Sequence, residues 1–96
     1  MTTEQLVQSR REEILRIAAG HGAHNVRVFG SVARGEAGEG SDIDLLVDME
    51  PGRSGLELAG LILDLEELLG RKVDVATEAG LYWLLRRRIL KEARAL

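Results

Sequence analysis

Two aspartates separated by one residue, Asp42 and Asp44, lie in the run Ser-Asp-Ile-Asp-Leu. On a strand, residues two apart point to the same face, about 6 to 7 Å from each other along the backbone. Like charges held so close are costly unless a cation joins them. Asp74 adds a third carboxylate between two valines, where a covered strand would demand a counter-ion or a metal. Three such carboxylates suit Mg²⁺, which takes oxygen ligands and bridges to substrate phosphates.

A solvated strand start is the alternative interpretation of the aspartate pair. Asp48 falls on the same face, which shows that carboxylates there need not bind a metal.

A second candidate element is the pair Gly30-Ser31, which follows the apolar run Val26-Arg27-Val28-Phe29. A strand that ends in glycine and turns into a helix start presents free backbone N–H groups and a hydroxyl, which together can bind phosphate. Gly35 is followed by Glu and Ala, so the P-loop pattern is absent. An ordinary tight turn is the alternative interpretation.

Hydrophobic periodicity and turn residues predict the elements that would position these residues. A helix is expected from Thr3 to Ala19, with a Thr2/Gln5 capping box, and a second long helix is expected after a Ser54/Glu57 capping box. The other predicted elements are a strand at 26–29, a helical turn at 31–34, an irregular loop at 35–40, strands at 43–49 and 73–75, and a helix at 81–95. This order predicts an α/β (α+β) fold, with a small mixed sheet of about three strands flanked by helices.

The composition predicts an ordinary globular protein with one domain spanning residues 1–96. The apolar runs are too short for a membrane helix and the N-terminal pattern is not that of an export signal, so a cytoplasmic location is expected. The chain has no cysteine and a net charge of −3, which excludes disulfides and argues against direct nucleic-acid binding. Cations nevertheless crowd the C-terminal segment, as Arg86, Arg87, Arg88, Lys91 and Arg94. They form either a solvated helix face or a patch that docks an acidic partner or RNA.

Four further residues could have either a structural or a functional role. His21 and His24 flank Gly22 and are interpreted as turn residues, because the cysteines or paired histidines of a zinc site are missing. Tyr82 and Trp83 begin the last helix, where core packing is favoured over stacking on a nucleobase.

The runs Gly30–Gly35 (Gly-Ser-Val-Ala-Arg-Gly), Ser41–Val47 and Val73–Val75 together resemble the nucleotidyltransferase superfamily that includes DNA polymerase beta. Within it, the chain resembles the minimal nucleotidyltransferase (MNT) domains. The resemblance extends over essentially the whole chain, and the motif elements occur in the family's order and spacing. It implies the polymerase beta-type nucleotidyltransferase fold.

By this resemblance, Asp42 and Asp44 bind two Mg²⁺ ions, and Asp74 completes the shell of one ion beside the attacking hydroxyl. The same comparison implies that Gly30 and Ser31 hold the triphosphate of ATP. Arg34 either reaches a phosphate across the loop or is a solvated surface arginine. Asp74 is also a candidate acceptor of the proton from the attacking hydroxyl.

The MNT resemblance also implies a partner. These domains typically accompany a HEPN-domain ribonuclease toxin and silence it by transferring AMP to a tyrosine, which makes them antitoxins. The basic C-terminal helix and the leucine-rich helix at 54–69 are then candidate contact surfaces. The small size agrees with an acceptor that is itself a folded protein. Two alternatives remain: an antitoxin that acts by binding alone, and transfer to a small molecule or an RNA end.

Overall fold

The computed structural model describes residues 1–53 and 55–96. The five helices are α1 Thr3–Ser9, α2 Arg11–Gly20, α3 Gly30–Ala33, α4 Gly55–Leu69 and α5 Trp83–Glu92. The strands are β1 Ala23–Phe29, β2 Ile43–Met49, β3 Val73–Thr77 and β4 Arg94–Ala95, and a 3-10 turn at Glu78–Gly80 follows β3. The capping box expected at the start of α4 includes Ser54, which lies outside the described residues.

The four strands form one mixed sheet in the order β3-β2-β1-β4. Strand β2 runs parallel to β3, while β1 is antiparallel to both β2 and β4. The predicted α+β class with a small mixed sheet is confirmed, although the sheet has a fourth strand that the sequence pattern did not predict. That strand forms because the main chain after α5 pairs with the edge of β1, where the amide of Leu96 donates to the carbonyl of Val26 at 3.0 Å.

The hydrophobic core lies on one face of the sheet. Ile43, Leu45 and Val47 of β2 point into it, each at most 1% exposed, and they pack against buried residues of α1, α2 and α4. Because strand side chains alternate, Asp44 and its even-numbered neighbours point to the other face. The strand is covered on both sides, as expected, since Leu46 is also fully buried.

The single helix expected at residues 3–19 is wrong. The Thr2/Gln5 capping box is present, but the helix breaks at Arg10 into α1 and α2. The hydroxyl of Ser9 donates to the carbonyl of Leu6 at 2.8 Å, and this side-chain bond competes with the helical backbone pattern where the break occurs.

The prediction that both histidines are turn residues is half wrong. His24 lies within β1 opposite Asp48. His21 follows α2, and its ring joins two carboxylates of α4: Nδ1 lies 3.0 Å from Glu57 and Nε2 lies 2.6 Å from Asp64. Those hydrogen bonds, the one to Asp64 first, raise the pKa of His21. His21 therefore fastens the turn before β1 to helix α4.

The described part of the chain includes no helix with the length and apolar character needed to cross a membrane.

Candidate functional site

Asp44 and Asp74 are register partners on the neighbouring parallel strands β2 and β3. Partners in a parallel ladder project to the same face from strands about 4.8 Å apart. Asp42 lies just before β2, close enough for its charge to act on Asp44. Burial first, and then the like charges of Asp74 and Asp42, raise the pKa of Asp44. The structure thus brings together the three carboxylates that the sequence singled out.

The covered environment expected for Asp74 is wrong, because this side chain is exposed. Strand β3 is one of the two edge strands of the sheet, and of its five residues only Val73 is buried. Burial therefore does not single out Asp74, and its place in the site follows from its register with Asp44.

Asp48, on the same face of β2, has a different role. Its carboxylate accepts from Arg27 Nη2 at 2.9 Å and from Asn25 Nδ2 at 2.9 Å. Within residues 1–53 and 55–96, Asp42, Asp44 and Asp74 form no ion pair with a lysine or arginine. The structure therefore separates Asp48, which forms a salt bridge with Arg27, from three carboxylates that form none among the described residues.

Strand β1 delivers Gly30 directly to this carboxylate cluster. Phe29, the last residue of β1, is the register partner of Asp44, and Gly30 follows with a φ of +71°. A Cβ at Gly30 would collide with the Asp44 carboxylate. Position 30 therefore needs glycine for two reasons: its left-handed backbone and its contact with Asp44.

The loop between Gly30 and Asp42 is fastened to the rest of the fold. The hydroxyl of Thr3, a fully buried residue, donates to the Gly38 carbonyl at 2.7 Å. Arg71 donates to Thr3 Oγ1 at 3.0 Å and to the carbonyl of Glu39. These contacts fix the loop close to the point where it enters β2.

A cleft of about 320 Å³ opens beside Asp44. Helix α5 forms one wall of it with Leu85, Arg88, Ile89 and Glu92. The other lining residues are Phe29, Gly30, Ser31, Arg34 and Asp44. Gly30, Ser31 and Arg34, predicted as phosphate-binding residues, thus share one cleft with an aspartate of the cluster.

Arg88 and Glu92 are site-lining residues that the sequence analysis missed. Leu85, Arg88, Ile89 and Glu92 are spaced i, i+3, i+4 and i+7, which is one face of a helix. That spacing was the available signal. It could not indicate, however, that this face meets the aspartates, because α5 is remote from β2 in sequence.

Arg34 is not a freely solvated arginine. Its Nε donates to Glu36 at 3.1 Å, and its Nη1 donates to the two oxygens of Glu92 at 3.3 and 3.1 Å. These contacts, the one to Glu36 first, raise the pKa of Arg34. The guanidinium is therefore held at the mouth of the cleft.

The core packing predicted for Tyr82 and Trp83 is wrong. They are 58% and 74% exposed, and their rings contact each other at a centroid distance of 6.0 Å. Neither residue lines the cleft beside Asp44. Leu84 and Leu85 are also exposed, so the start of α5 forms an apolar surface.

The chemistry of the donor set suits a divalent cation, since three carboxylates lie near one another and burial, followed by the charges of Asp74 and Asp42, raises the pKa of Asp44 despite the nearby Arg34. Among the described residues, however, no three acidic or histidine side chains are already arranged to hold one ion.

The fold and this cleft, with aspartates of two parallel strands beside a glycine turn, define a minimal nucleotidyltransferase. The chain belongs to the nucleotidyltransferase domain family, whose model matches residues 11–96. It is 46% identical over 83 residues to a Methanocaldococcus jannaschii protein with the provisional name of protein adenylyltransferase, covering 86% of this chain and 89% of that one. It is 42% identical over 71 residues to the protein adenylyltransferase MntA of Thermococcus cleftensis, covering 74% of this chain and 72% of MntA.

Solved structures agree with this assignment. A structure described provisionally as a minimal nucleotidyltransferase superposes with a TM-score of 0.87 at 53% identity, covering 100% of this chain and 97% of the other. A toxin–antitoxin complex with AMP-PNP contains a chain that superposes with a TM-score of 0.75 at 19% identity, covering 88% of this chain and 69% of that one. At that identity the second comparison shows a shared fold.

Proposed function

We propose that this nucleotidyltransferase transfers AMP from ATP, with Mg²⁺, to a hydroxyl of a partner protein. The observation that carries the proposal is the pairing of Asp44 with Asp74 across β2 and β3, directly beside Gly30. The names of its relatives, which describe protein adenylyltransferases, support the same reaction.

In this proposal Asp42 and Asp44 hold two Mg²⁺ ions and Asp74 holds one of them. When bound, the ions would offset the charge of the triphosphate and stabilise the charge that develops during transfer. Gly30 and Ser31 bind phosphate oxygens through the backbone N–H and the hydroxyl, and Arg34 adds a cation. The acceptor hydroxyl bonds to the α-phosphorus, pyrophosphate leaves, and Asp74 takes the hydroxyl proton.

The proposed acceptor is a tyrosine of a HEPN-domain ribonuclease toxin, which this chain would silence as a cytoplasmic antitoxin. The toxin–antitoxin complex with AMP-PNP, which shares this fold, supports that role. Two surfaces are candidates for the contact. The first is the start of α5, where Tyr82, Trp83, Leu84 and Leu85 are exposed, and the second is α4, where Leu56 and Leu63 are 83% and 65% exposed.

The test is transfer of label from α-labelled ATP to the protein encoded next to this chain, used as the candidate toxin. The double variant Asp42→Asn/Asp44→Asn should abolish transfer, and chelation of Mg²⁺ should do the same. Asp48→Asn is the matched control, because it removes a carboxylate of the same strand that is already paired with Arg27. Intact mass of the labelled product would give the nucleotide and the number transferred.

Undiminished transfer by the double variant would reject the site assignment. If the double variant instead loses transfer but still neutralises the toxin at equimolar dose, binding alone accounts for the antitoxin effect.

A further inference from the structure

Glu92, the last residue of α5, places its carboxylate against the turn at the end of β1. Its Oε1 accepts from the backbone N–H of Gly30 at 3.3 Å. Both of its oxygens accept from Arg34 Nη1, at 3.3 and 3.1 Å. The Glu92 side chain is only 17% exposed, so it is packed into the cleft beside Asp44.

The two donors that bind Glu92, the Gly30 N–H and the Arg34 guanidinium, are groups that the proposed function assigns to the triphosphate. A carboxylate and a phosphate both offer anionic oxygens to the same N–H donors. The single N–H of Gly30 cannot make a good hydrogen bond to both anions at once, and Nη1 of Arg34 is already directed at Glu92. Glu92 and a phosphate oxygen therefore compete for the donors at Gly30 and Arg34.

We infer that Glu92 is a further residue of the nucleotide site, which holds Gly30 and Arg34 through its carboxylate until the triphosphate displaces it. This inference rests on the proposed function. The apparent affinity for nucleotide is lowered by the fraction of molecules in which Glu92 occupies the donors.

The structure allows Glu92 to leave. Of the ten residues of α5, none is buried, so little packing opposes a shift of the helix or a rotation of the side chain. Strand β4 holds the chain just after Glu92 through its pairing with β1. This attachment keeps Glu92 close enough to return when the nucleotide leaves.

The test measures the Kd of AMP-PNP with Mg²⁺ by isothermal titration calorimetry, which needs no turnover. Glu92→Gln should bind at least about fivefold more tightly, because a neutral amide is the weaker competitor for charged donors. Glu92→Asp should also bind more tightly: it keeps the charge, but its shorter side chain cannot span Gly30 and Arg34. Glu67→Gln, an exposed position of α4, is the control for a change in net charge and should bind like the wild type.

A second measurement follows the helix itself. Hydrogen exchange of α5 amides should rise on nucleotide binding in the wild type and change less in Glu92→Gln. The fluorescence of Trp83, the single tryptophan of the chain, should likewise change on nucleotide binding in the wild type and change less in Glu92→Gln. A thermal melt of each variant checks that it is folded.

Three outcomes would overturn the inference. Equal Kd values for all variants would reject Glu92 as a competitor and leave the proposed function standing. If Glu92→Gln binds more tightly but Glu92→Asp binds like the wild type, the negative charge at position 92 weakens nucleotide binding without the contacts to Gly30 and Arg34, and the inference fails. No nucleotide binding by any variant would reject the proposed function itself, and the inference with it.

Discussion

Asp44 and Asp74 are aligned as register partners on parallel strands, and this alignment places two carboxylates side by side on the sheet face opposite the core. Proteins seldom leave like charges in such an arrangement without a function, because repulsion lowers the stability of the fold. Burial first, and then this repulsion, raises the pKa of Asp44.

Asp44→Asn should therefore lower the activity while raising the stability of the fold. Transfer should fall at least about a hundredfold, since a ligand of the reacting centre is lost. The melting temperature without Mg²⁺ should rise, because the variant no longer carries a half-buried charge beside two others. Circular dichroism melts with and without Mg²⁺ check this, and added Mg²⁺ should stabilise the wild type more than the variant. Asp48→Asn should instead lower the melting temperature, since it removes the nearer of the two carboxylates that pair with Arg27, the other being Glu78 at 3.9 Å.

Gly30→Ala should destabilise the fold by about 1 to 3 kcal/mol and abolish nucleotide binding, because φ at this position is +71° and the new methyl group would meet the Asp44 carboxylate. Urea denaturation gives the loss of stability. Gly20→Ala is the control: it lies at the end of α2 with nothing within 4 Å, so the helix should be unchanged or slightly more stable. An equal loss of stability in Gly30→Ala and Gly20→Ala would show that neither the left-handed backbone nor the contact with Asp44 requires glycine at position 30.

The bridge from His21 to α4 should make stability depend on pH. The pKa of His21 is raised. Its contribution to folding stability is therefore fully present below about pH 6.5 and is lost as pH rises through the higher pKa of the folded state. The pKa of Glu57 is lowered, chiefly by its hydrogen bond to His21, so its contribution is present above about pH 4.5 and is lost as pH falls through the lower folded-state value.

The difference in unfolding free energy between wild type and His21→Ala should thus be largest between about pH 4.5 and 6.5. Urea denaturation across this range and up to pH 8 measures it. Removing both carboxylates, as Glu57→Gln/Asp64→Asn, should flatten the pH dependence that His21 confers. A difference that grows towards pH 8 would show that the bridge does not act through the charged imidazole.

Thr3→Val should cost about 1 to 3 kcal/mol although it keeps the shape of the side chain, because the Gly38 carbonyl loses its donor and Arg71 loses an acceptor. Chemical denaturation measures the loss, and hydrogen exchange should rise in the loop at 35–42. Thr3→Ser keeps the hydroxyl and should retain the slow exchange of that loop. If exchange in the loop rises as much in Thr3→Ser as in Thr3→Val, the methyl group of Thr3 and not its hydroxyl holds the loop.

Trp83→Ala should weaken binding of the partner protein while leaving the melting temperature nearly unchanged, because the side chain is 74% exposed and truncating a large aromatic at an interface removes much of the binding energy. Surface plasmon resonance with the candidate toxin measures the effect. Leu63→Ala tests the α4 surface in the same way. Loss of binding in that variant, with Trp83→Ala unaffected, would move the contact from α5 to α4.

Much of the fold could be predicted from local pattern. The spacing of Leu61 and Leu65 predicts α4, and the apolar run after Ile43 predicts a strand covered on both sides, since these signals depend only on which face a side chain occupies. The aspartate pair and the glycine turn could be found in the same way. The two-residue strand β4 could not, because a neighbour distant in sequence decides it. The break at Arg10 was missed although Ser9, whose hydroxyl bonds to the carbonyl of Leu6, lies beside it.

The sequence by itself determined the residue types and spacings of the candidate site: two aspartates one residue apart, a glycine at the end of a strand, and a third aspartate beyond a helix. Only the tertiary structure decided that Asp74 aligns with Asp44, that Asp48 is neutralised by Arg27, and that Glu92 reaches Gly30. The physical reason is that strand register and helix docking are set by the packing of the whole core, whereas a sequence motif specifies only neighbours along the chain.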